Sequence, residues 1–337
     1  INTEEDSTPE PEELVNEVVT EEEQEIPETT FTQSAWIPSW DFKKGFESLK
    51  LRKETITRVH PVLYSLNNNG TLMDRKPSES TLAEFLAYTK TENILVIPTV
   101  GSYDFKIMES VLNSEVYIEK SVNEIVEQVE KYNYDGIDID YEKIKTANRV
   151  QYLSFLSKLS TKLKEKGKLL SVTVSAKTRD SSVDTLYAQD WIEINKVADS
   201  VNIMTYDYTL QSSTIPGPIG PLDWISDVIE YSKGKINPQK IFLGIHLYSY
   251  LWKEQKATAL TYSSTTSILS NSKIERKYLE DFAEGYASYT CADGSKCILF
   301  YPTKEGVKER IEISRENKLA GVVYWRLGDD GNILDTE

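Results

Sequence analysis

Cysteine, histidine and long apolar runs are scarce in this sequence, and these absences narrow what the chain can be. It has only two cysteines and two histidines, and no metal or other cofactor is predicted. No apolar run reaches the roughly 18 residues of a membrane-spanning helix, so no transmembrane segment is expected. Lysine and arginine form no patch of the kind that phosphate binding requires, so nucleic acid is not an expected partner.

Basic residues are absent altogether from residues 1–30, which contain twelve aspartates or glutamates. This segment therefore carries −12 of the formal net charge of −16, and the remainder is nearly balanced. Its mixture of Glu, Thr and Pro predicts an acidic, disordered linker or tether, with an interaction tail as the alternative. We assign residues 31–337 to one globular domain. Because the chain begins at Ile1, we expect an upstream segment, such as a signal peptide, and a secreted or cell-surface protein.

The two cysteines, Cys291 and Cys297, flank an Asp-Gly pair in the stretch TCADGSKC. Asp-Gly is a hairpin-turn signal, and such a turn would bring the two thiols together. In an exported protein this favours a disulfide. A metal site is the weaker alternative, since two ligands are too few and neither histidine lies nearby in the sequence.

Short β-branched apolar runs alternate with amphipathic helical patterns along the rest of the chain. This alternation predicts βαβ units and a parallel sheet, and eight such units fit an α/β fold of the (β/α)8 TIM-barrel type. The eight predicted strands are residues 34–40, 58–66, 93–100, 136–142, 169–176, 200–206, 240–248 and 319–325. The gap before the last strand is too long for one helix, so we predict a small α+β insertion at about 251–302 that walls a substrate groove.

The fourth predicted strand lies within the stretch YDGIDIDYEK, in which carboxylates alternate with Ile137, Ile139 and Tyr141. Strand alternation directs those three side chains toward the helices, and it directs the carboxylates toward the barrel interior. The inward row is Asp138, Asp140 and Glu142, with Glu142 at the carboxyl end, where barrel enzymes carry their chemistry.

Neighbouring carboxylates in this row would lie about 6.6 Å apart. Their repulsion is about 2–3 kcal/mol per pair at an effective dielectric of about 20. The row therefore favours retention of at least one proton near neutral pH, and a neutral carboxylic acid beside a cleft can act as a general acid. An exposed edge strand and a divalent-cation site are the alternatives.

The stretch DGIDIDYE resembles the DGxDxDxE signature of glycoside hydrolase family 18, the chitinase-like enzymes, at every fixed position. The resemblance extends over about residues 34–330. It includes VNIMTYDY at 201–208, GPIGPLDW at 217–224 and GVVYWRLGDD at 321–330. The WRLG motif and the AWIPSWD stretch look most similar to the corresponding sequences of bacterial members that act on cell walls and spore cortex.

This resemblance implies a role for each matching residue. Glu142 would protonate the glycosidic oxygen, Asp140 would orient the substrate's 2-acetamido group, and Asp138 would share a proton with Asp140. Tyr206 would hydrogen-bond the acetamido carbonyl, which acts as the nucleophile and forms an oxazolinium intermediate with net retention. This mechanism is an exception to the scheme in which two enzyme carboxylates do the work.

Four further residues are implied for the same sugar subsite. Asp207 and Met204 would line it, Trp325 would form its hydrophobic floor, and Tyr64 is a weaker candidate. Met204, Trp325 and Tyr64 could each instead be ordinary core packing.

Some positions depart from the family pattern. The third strand reads IPTVGSYDF rather than SxGG, and the seventh has His246 and Ser249 where relatives usually have Pro and Gly. His246 is interpreted as structural, with a substrate contact as the alternative, and His60 is assigned no role. These departures bear on specificity more than on activity.

The sequence therefore predicts a retaining hydrolase of β-1,4-linked N-acetylglucosamine polymers, either chitin or peptidoglycan. Such a protein binds its glycan without a cofactor, and a monomer is expected. A non-catalytic chitinase-like lectin is the alternative, although such relatives typically lose the acid at the position of Glu142. A surface adhesin displayed on the acidic tether is a third hypothesis.

Overall fold

The computed structural model describes residues 31–335. The predicted acidic linker at residues 1–30 lies outside the described residues. Within the described range, none of the helices combines the length and the apolar character needed to cross a bilayer.

Residues 31–335 form fifteen strands and ten α-helices. The strands are β1 (Thr32–Ile37), β2 (Ile56–Leu66), β3 (Leu72–Asp74), β4 (Leu95–Val96), β5 (Thr99–Ser102), β6 (Gly136–Tyr141), β7 (Leu169–Ser175), β8 (Ser200–Met204), β9 (Ile241–His246), β10 (Tyr248–Lys253), β11 (Lys256–Thr261), β12 (Arg276–Leu279), β13 (Glu284–Thr290), β14 (Lys296–Tyr301) and β15 (Gly321–Trp325). The helices are α1 (Phe42–Leu51), α2 (Glu79–Thr91), α3 (Phe105–Leu112), α4 (Glu115–Lys131), α5 (Arg149–Glu165), α6 (Asp184–Ala188), α7 (Trp191–Val197), α8 (Leu222–Ser232), α9 (Tyr262–Leu269) and α10 (Lys304–Glu316).

Eight parallel strands close into a barrel with helices between them. The parallel order is β1-β15-β9-β8-β7-β6-β5-β2, and β1 also pairs with β2, which completes the ring. The predicted TIM barrel is therefore confirmed. The third barrel strand is split into β4 and β5 around Ile97 and Pro98, because a proline nitrogen has no proton to donate to the sheet.

The fourth barrel strand, β6, is buried along its whole length. Ile137, Ile139 and Tyr141 belong to the apolar layer between barrel and helices. The Tyr141 ring packs on Phe155 of α5, with ring centroids 5.4 Å apart. The opposite face of β6 bears Asp138 and Asp140, which accept hydrogen bonds from Thr99 of β5 and from Tyr103 just after that strand. The predicted alternation is confirmed, and the strand carries its acids inward because its apolar residues occupy the helix-facing positions.

The helices pack on the barrel through one apolar face each. In α4 the buried positions include Val122, Ile125, Val126 and Val129, the spacing expected for a single buried stripe. The side chain of Ser114 caps the helix by accepting from the backbone N–H of Tyr117 at 3.3 Å.

The segment between β9 and β15 contains a second, antiparallel sheet of five strands. Its order is β11-β10-β14-β13-β12, and α9 follows β11. Only Leu247 separates the end of β9 from the first strand of this sheet, β10, so the predicted seventh strand is divided between barrel and insertion. A disulfide joins Cys291 to Cys297 across the β13–β14 turn.

Candidate active site

A cleft of about 1250 Å³ opens among the residues at the carboxyl ends of the barrel strands. The end of β6 contributes Asp140 and Glu142 to its lining. The ends of β8 and β15 contribute Met204, Tyr206, Asp207 and Trp325. The insertion forms one wall through Tyr248, Tyr250, Ala259, Leu260, Thr261 and Tyr262. The insertion therefore shapes the groove as well as extending the rim.

Asp138 lies deepest in the acid row and is fully buried. Its carboxylate accepts hydrogen bonds from Thr99 Oγ1 at 2.8 Å and from Thr173 Oγ1 at 3.0 Å. Asn202 Nδ2 donates a third at 3.2 Å. These donors belong to β5, β7 and β8, so the barrel wall itself supplies the compensation that a buried carboxylate requires.

Asp140 lies above Asp138 and lines the cleft. Burial raises the pKa of its carboxyl well above the usual value, and the charges of Glu142 and Asp138 raise it further. The hydroxyl of Tyr103 donates to Oδ2 at 3.0 Å and opposes this shift. In the described part of the chain, Oδ1 is buried and has no hydrogen-bond partner. Asp140 therefore offers one unoccupied polar atom beside the cleft.

Glu142 follows the last residue of β6 and is half-buried in the cleft. Its backbone is fixed on both sides: the N–H donates to the carbonyl of Ser102 at 3.0 Å, and the carbonyl accepts from Thr185 Oγ1 at 2.6 Å. Burial raises the pKa of its side chain above the usual value; Lys143 opposes the shift and Asp207 adds to it. A carboxyl that keeps its proton beside an open groove can act as a general acid.

The segment after β8 brings Met204, Tyr206 and Asp207 into the same cleft. Asp207 has a left-handed backbone conformation, with φ of +57°. Its Oδ1 accepts from the hydroxyl of Tyr250 at 2.7 Å and also from that of Tyr248. Burial and nearby carboxylates raise the pKa of Tyr206 well above its usual value, so its hydroxyl keeps a proton to donate.

Three tryptophans form an aromatic corner on the opposite side of the cleft. The ring of Trp325 lies 5.8 Å from that of Trp36 and 6.3 Å from that of Trp40, centroid to centroid. Trp36 is buried, whereas Trp40 is 69% exposed. Behind them, Arg326 donates to Asp41 at 2.8 Å. This corner offers an apolar surface on which a sugar ring can pack.

Tyr64 does not belong to this site, and its predicted place in the subsite is corrected. The side chain is 1% exposed and its hydroxyl contacts that of Tyr134 at 3.2 Å. Lys76 lies 5.3 Å from its ring centroid. Tyr64 is absent from the cleft lining because it packs in the apolar layer with Tyr134, so the alternative of core packing holds.

Both histidines are buried away from the cleft lining. His60 contacts the carbonyl of Ile97 through Nδ1 at 3.0 Å, and burial lowers its pKa to about 4. His246 lies beside Glu284 of the insertion, with 3.7 Å between Nε2 and Oε1. Burial, reinforced by the charge of Arg310, lowers the pKa of His246 well below its usual value. A structural interpretation of His246 fits this placement.

Three tyrosines of the site, Tyr103, Tyr248 and Tyr250, were not predicted from the sequence. Tyr103 follows β5, so its position after a barrel strand was a usable signal. Tyr248 and Tyr250 were assigned to the end of a barrel strand and its flank. Their common face on β10 follows from the change of sheets between β9 and β10, which no local sequence pattern marks.

Within residues 31–335, no group of three or more His, Cys, Asp or Glu side chains is arranged to hold a metal ion. The acids of the row are instead engaged by hydroxyl and amide donors, as described for Asp138 and Asp140.

The fold and the site define a (β/α)8-barrel protein with a carboxylic acid at the carboxyl end of a strand facing an open groove, where barrel enzymes carry their chemistry. A sequence profile described as glycosyl hydrolases family 18 matches residues 39–330. The chain belongs to this family, as the resemblance predicted.

Similar proteins occur in bacteria. The cortical fragment-lytic enzyme of Bacillus anthracis is 26% identical over 275 residues, covering 79% of this chain and 63% of the relative. The chain thus spans less than two thirds of that enzyme's length. The uncharacterized glycosylase YvbX of Bacillus subtilis (strain 168) is 24% identical over 279 residues, 79% of each chain. The solved structure of a chitinase from Chromobacterium violaceum ATCC 12472 has a TM-score of 0.82 at 19% identity, covering 91% of this chain and 98% of that one.

Proposed function

We propose that the chain is a retaining glycoside hydrolase that cleaves β-1,4-linked N-acetylglucosamine polymers, in chitin or peptidoglycan, by substrate-assisted catalysis. The observation that carries this proposal is the placement of Asp140 and Glu142 at the carboxyl end of β6, where both line the open cleft and burial raises the pKa of each carboxyl. Family membership and relatives named as chitinase and cortical fragment-lytic enzyme support the substrate class.

In the first step, Glu142 donates its proton to the glycosidic oxygen as the bond from that oxygen to C1 breaks. The carbonyl oxygen of the 2-acetamido group bonds to C1 from the opposite face and gives an oxazolinium ion. Asp140 accepts from the acetamido N–H and stabilises the positive charge, while Tyr206 donates to the acetamido oxygen. This assignment uses the unpartnered Oδ1 of Asp140 and the retained proton of Tyr206.

In the second step, water attacks C1 from the face that the leaving group vacated. The bond from C1 to the acetamido oxygen breaks, which restores the amide, and Glu142 takes the proton from the water. Two inversions at C1 give net retention. The charge of Asp138 raises the pKa of Asp140, and Asp138 is itself fixed by hydroxyl and amide donors of the barrel wall.

The variant Glu142→Gln tests the assignment of the acid. An N-acetylglucosamine hexamer has a sugar hydroxyl as its leaving group and needs a proton, so we expect its cleavage to fall at least about 100-fold. In an aryl glycoside of the same sugar, the leaving group is an aryl oxide that needs little protonation. The variant should therefore lose much less of its cleavage rate on this substrate. Equal losses on both substrates, in a variant with a native circular dichroism spectrum, would contradict the role of Glu142.

A matched substrate pair tests the acetamido nucleophile. A β-1,4-glucan hexamer has the same backbone without the 2-acetamido group, and we expect no detectable cleavage of it. Comparable turnover of both hexamers would exclude substrate assistance. Mass spectrometry of parallel digests of chitin oligosaccharide and of peptidoglycan fragments would separate the two substrate classes.

The remaining proposals concern the setting of the enzyme. We propose that it acts outside the cell, on the wall or cortex, as the name of the Bacillus anthracis relative supports. We also propose that it works as a monomer, with residues 31–337 as one catalytic domain that includes the insertion at about 251–302. Size-exclusion chromatography with light scattering tests the monomer.

A further inference from the structure

A buried ion pair lies outside the cleft, where the insertion meets the barrel. Glu284 is the first residue of β13 and is fully buried, and Arg310 of α10 is 2% exposed. The guanidinium Nη2 lies 3.5 Å from Oε1 of Glu284. Charged groups are rarely buried to this extent unless they hold something in place or satisfy one another.

Both members of this pair form hydrogen bonds to the backbone of the same loop, residues 217–220. Glu284 accepts from the backbone N–H of Gly220 at 2.6 Å and from that of Ile219 at 3.0 Å. Arg310 donates to the carbonyl of Gly220 through Nη2 and to that of Ala283 through Nη1, the latter at 2.8 Å. The loop is thereby tied to both the insertion and α10.

The loop is in turn paired with the segment that carries the subsite residues. The N–H of Tyr208 donates to the carbonyl of Ile219 at 2.8 Å, and that of Thr209 donates to Pro218 at 3.2 Å. On its other side, Gly220 packs so closely on the chain that a Cβ there would lie 2.8 Å from the carbonyl oxygen of Thr205. The residues between these two contact points are Tyr206 and Asp207.

Asp207 depends on its surroundings for its conformation. Its left-handed φ of +57° is uncommon for a residue with a side chain, although Asp tolerates it better than most. The hydroxyls of Tyr248 and Tyr250 hold its carboxylate from the insertion side. The loop at 217–220 holds the backbone of the next residue, Tyr208, so the position of Asp207 is set from both directions.

We propose that Glu284 and Arg310 are positioning residues that act through the 217–220 loop to keep Asp207 beside the catalytic acid Glu142. This inference rests on the proposed function, because it assumes that Glu142 is the proton donor. It also gives the insertion a second role: besides lining the groove, it holds in place a carboxylate whose charge raises the pKa of the acid.

The pH profile of kcat/KM on the N-acetylglucosamine hexamer is the readout. The charge of Asp207 raises the pKa of Glu142, so displacement of Asp207 lowers that pKa and moves the alkaline limb to lower pH. The charged and titratable groups near Glu142 are Asp140, Lys143, Asp207, Tyr103 and Tyr206. Apart from the reference variant Asp207→Asn, the test variants leave these groups unchanged.

Four single variants make the test. Asp207→Asn is the reference and should move the alkaline limb down by about 1 pH unit. Glu284→Ala should move it in the same direction by about half a unit or more, with a lower kcat. Glu284→Gln keeps an acceptor for the N–H groups of Ile219 and Gly220, so it should recover most of the wild-type profile. Arg310→Lys keeps the charge but loses the paired guanidinium donors, and serves if Glu284→Ala does not fold.

A double variant and a stability control complete the design. In the Asp207→Asn background, Glu284→Ala should cause no further shift, because the group it positions has lost its charge. Leu159→Ala removes packing from a fully buried position on α5 and should lower Tm without moving the limb.

The outcomes separate the two proposals. If Asp207→Asn shifts the limb but Glu284→Ala and Arg310→Lys do not, the positioning role is wrong and the proposed function stands. A shift in Leu159→Ala as large as that in Glu284→Ala also overturns the positioning role, since instability alone would then explain it. If Asp207→Asn leaves the limb in place, the assumed coupling of Asp207 to Glu142 fails and this inference falls, whereas the proposed function stands, because burial is the largest cause of the raised pKa of Glu142.

Discussion

The hydroxyl of Tyr103 donates a hydrogen bond to Oδ2 of Asp140 over 3.0 Å, while Oδ1 of the same carboxyl is buried without a partner among the described residues. One oxygen is therefore fixed by the protein and the other remains available. In the proposed reaction, the available oxygen accepts from the acetamido N–H. Tyr103 then determines the orientation of Asp140 before substrate binds.

The first prediction concerns Tyr103→Phe. A hydrogen bond to a charged group is worth about 1.5–3 kcal/mol, so we expect kcat on the N-acetylglucosamine hexamer to fall about 10–100-fold. Removal of the hydroxyl also raises the pKa of Asp140 further, because this bond opposes the effect of burial. Steady-state kinetics measures the first effect. Tyr187→Phe is the matched control: its hydroxyl accepts from Arg149 outside the cleft, and its loss should leave kcat unchanged.

The second prediction concerns the sign of a charge effect on Glu142. Burial raises the pKa of Glu142, and Lys143 opposes this shift. Lys143→Met should therefore raise that pKa, keep the acid protonated to higher pH, and move the alkaline limb of kcat/KM upward. This is the opposite of the shift expected for Asp207→Asn. Lys145→Met, two residues away and outside the cleft lining, should leave the limb unchanged. A downward shift in Lys143→Met would contradict the assignment.

The acid row could be predicted from the sequence because strand periodicity is a local property. Once β6 is recognised, the pleat alone places Asp138, Asp140 and Glu142 on the face opposite Ile137 and Ile139. The barrel followed in the same way, from eight separate local patterns. These inferences needed no knowledge of which elements lie next to each other.

Contacts between distant segments could not be predicted in this way. Tyr64 lies near the carboxyl end of a barrel strand, as several residues of the site do, and its local sequence does not set it apart. Its hydroxyl nevertheless contacts that of Tyr134, which lies 70 positions away in the sequence. The hydrogen bonds that Tyr248 and Tyr250 donate to Asp207 depend on where the chain leaves the barrel and enters the second sheet. One residue separates the two sheets there, and no turn signal marks the change.

The third prediction concerns the disulfide between Cys291 and Cys297. Because it closes a loop of only a few residues, the chain-entropy estimate of its stabilisation is about 2 kcal/mol. The double variant Cys291→Ala with Cys297→Ala should lose about that much unfolding free energy in denaturant titration. Neither cysteine lines the cleft, so kcat and KM of the folded variant should match the wild type. A loss of activity at full folding would show that the hairpin shapes the groove.

The fourth prediction concerns the aromatic corner. Trp325 lies against Trp36 and Trp40 and presents a half-buried ring to the cleft. If a sugar packs on this ring, Trp325→Ala removes about 1.5–3 kcal/mol of apolar contact and should raise KM for the hexamer about 10–100-fold. Trp325→Phe keeps an aromatic surface and should recover most of the affinity.

Isothermal titration separates binding from chemistry for these variants, when it is carried out in the Glu142→Gln background, where the hexamer is not consumed. We expect Trp325→Ala to weaken the measured affinity in proportion to its effect on KM. The matched control is Trp252→Phe, because Trp252 is buried in the insertion and lies outside the cleft lining. That variant should lower Tm without changing affinity. If both variants weaken binding equally, Trp325 acts through packing of the barrel rim, and the sugar lies elsewhere in the groove.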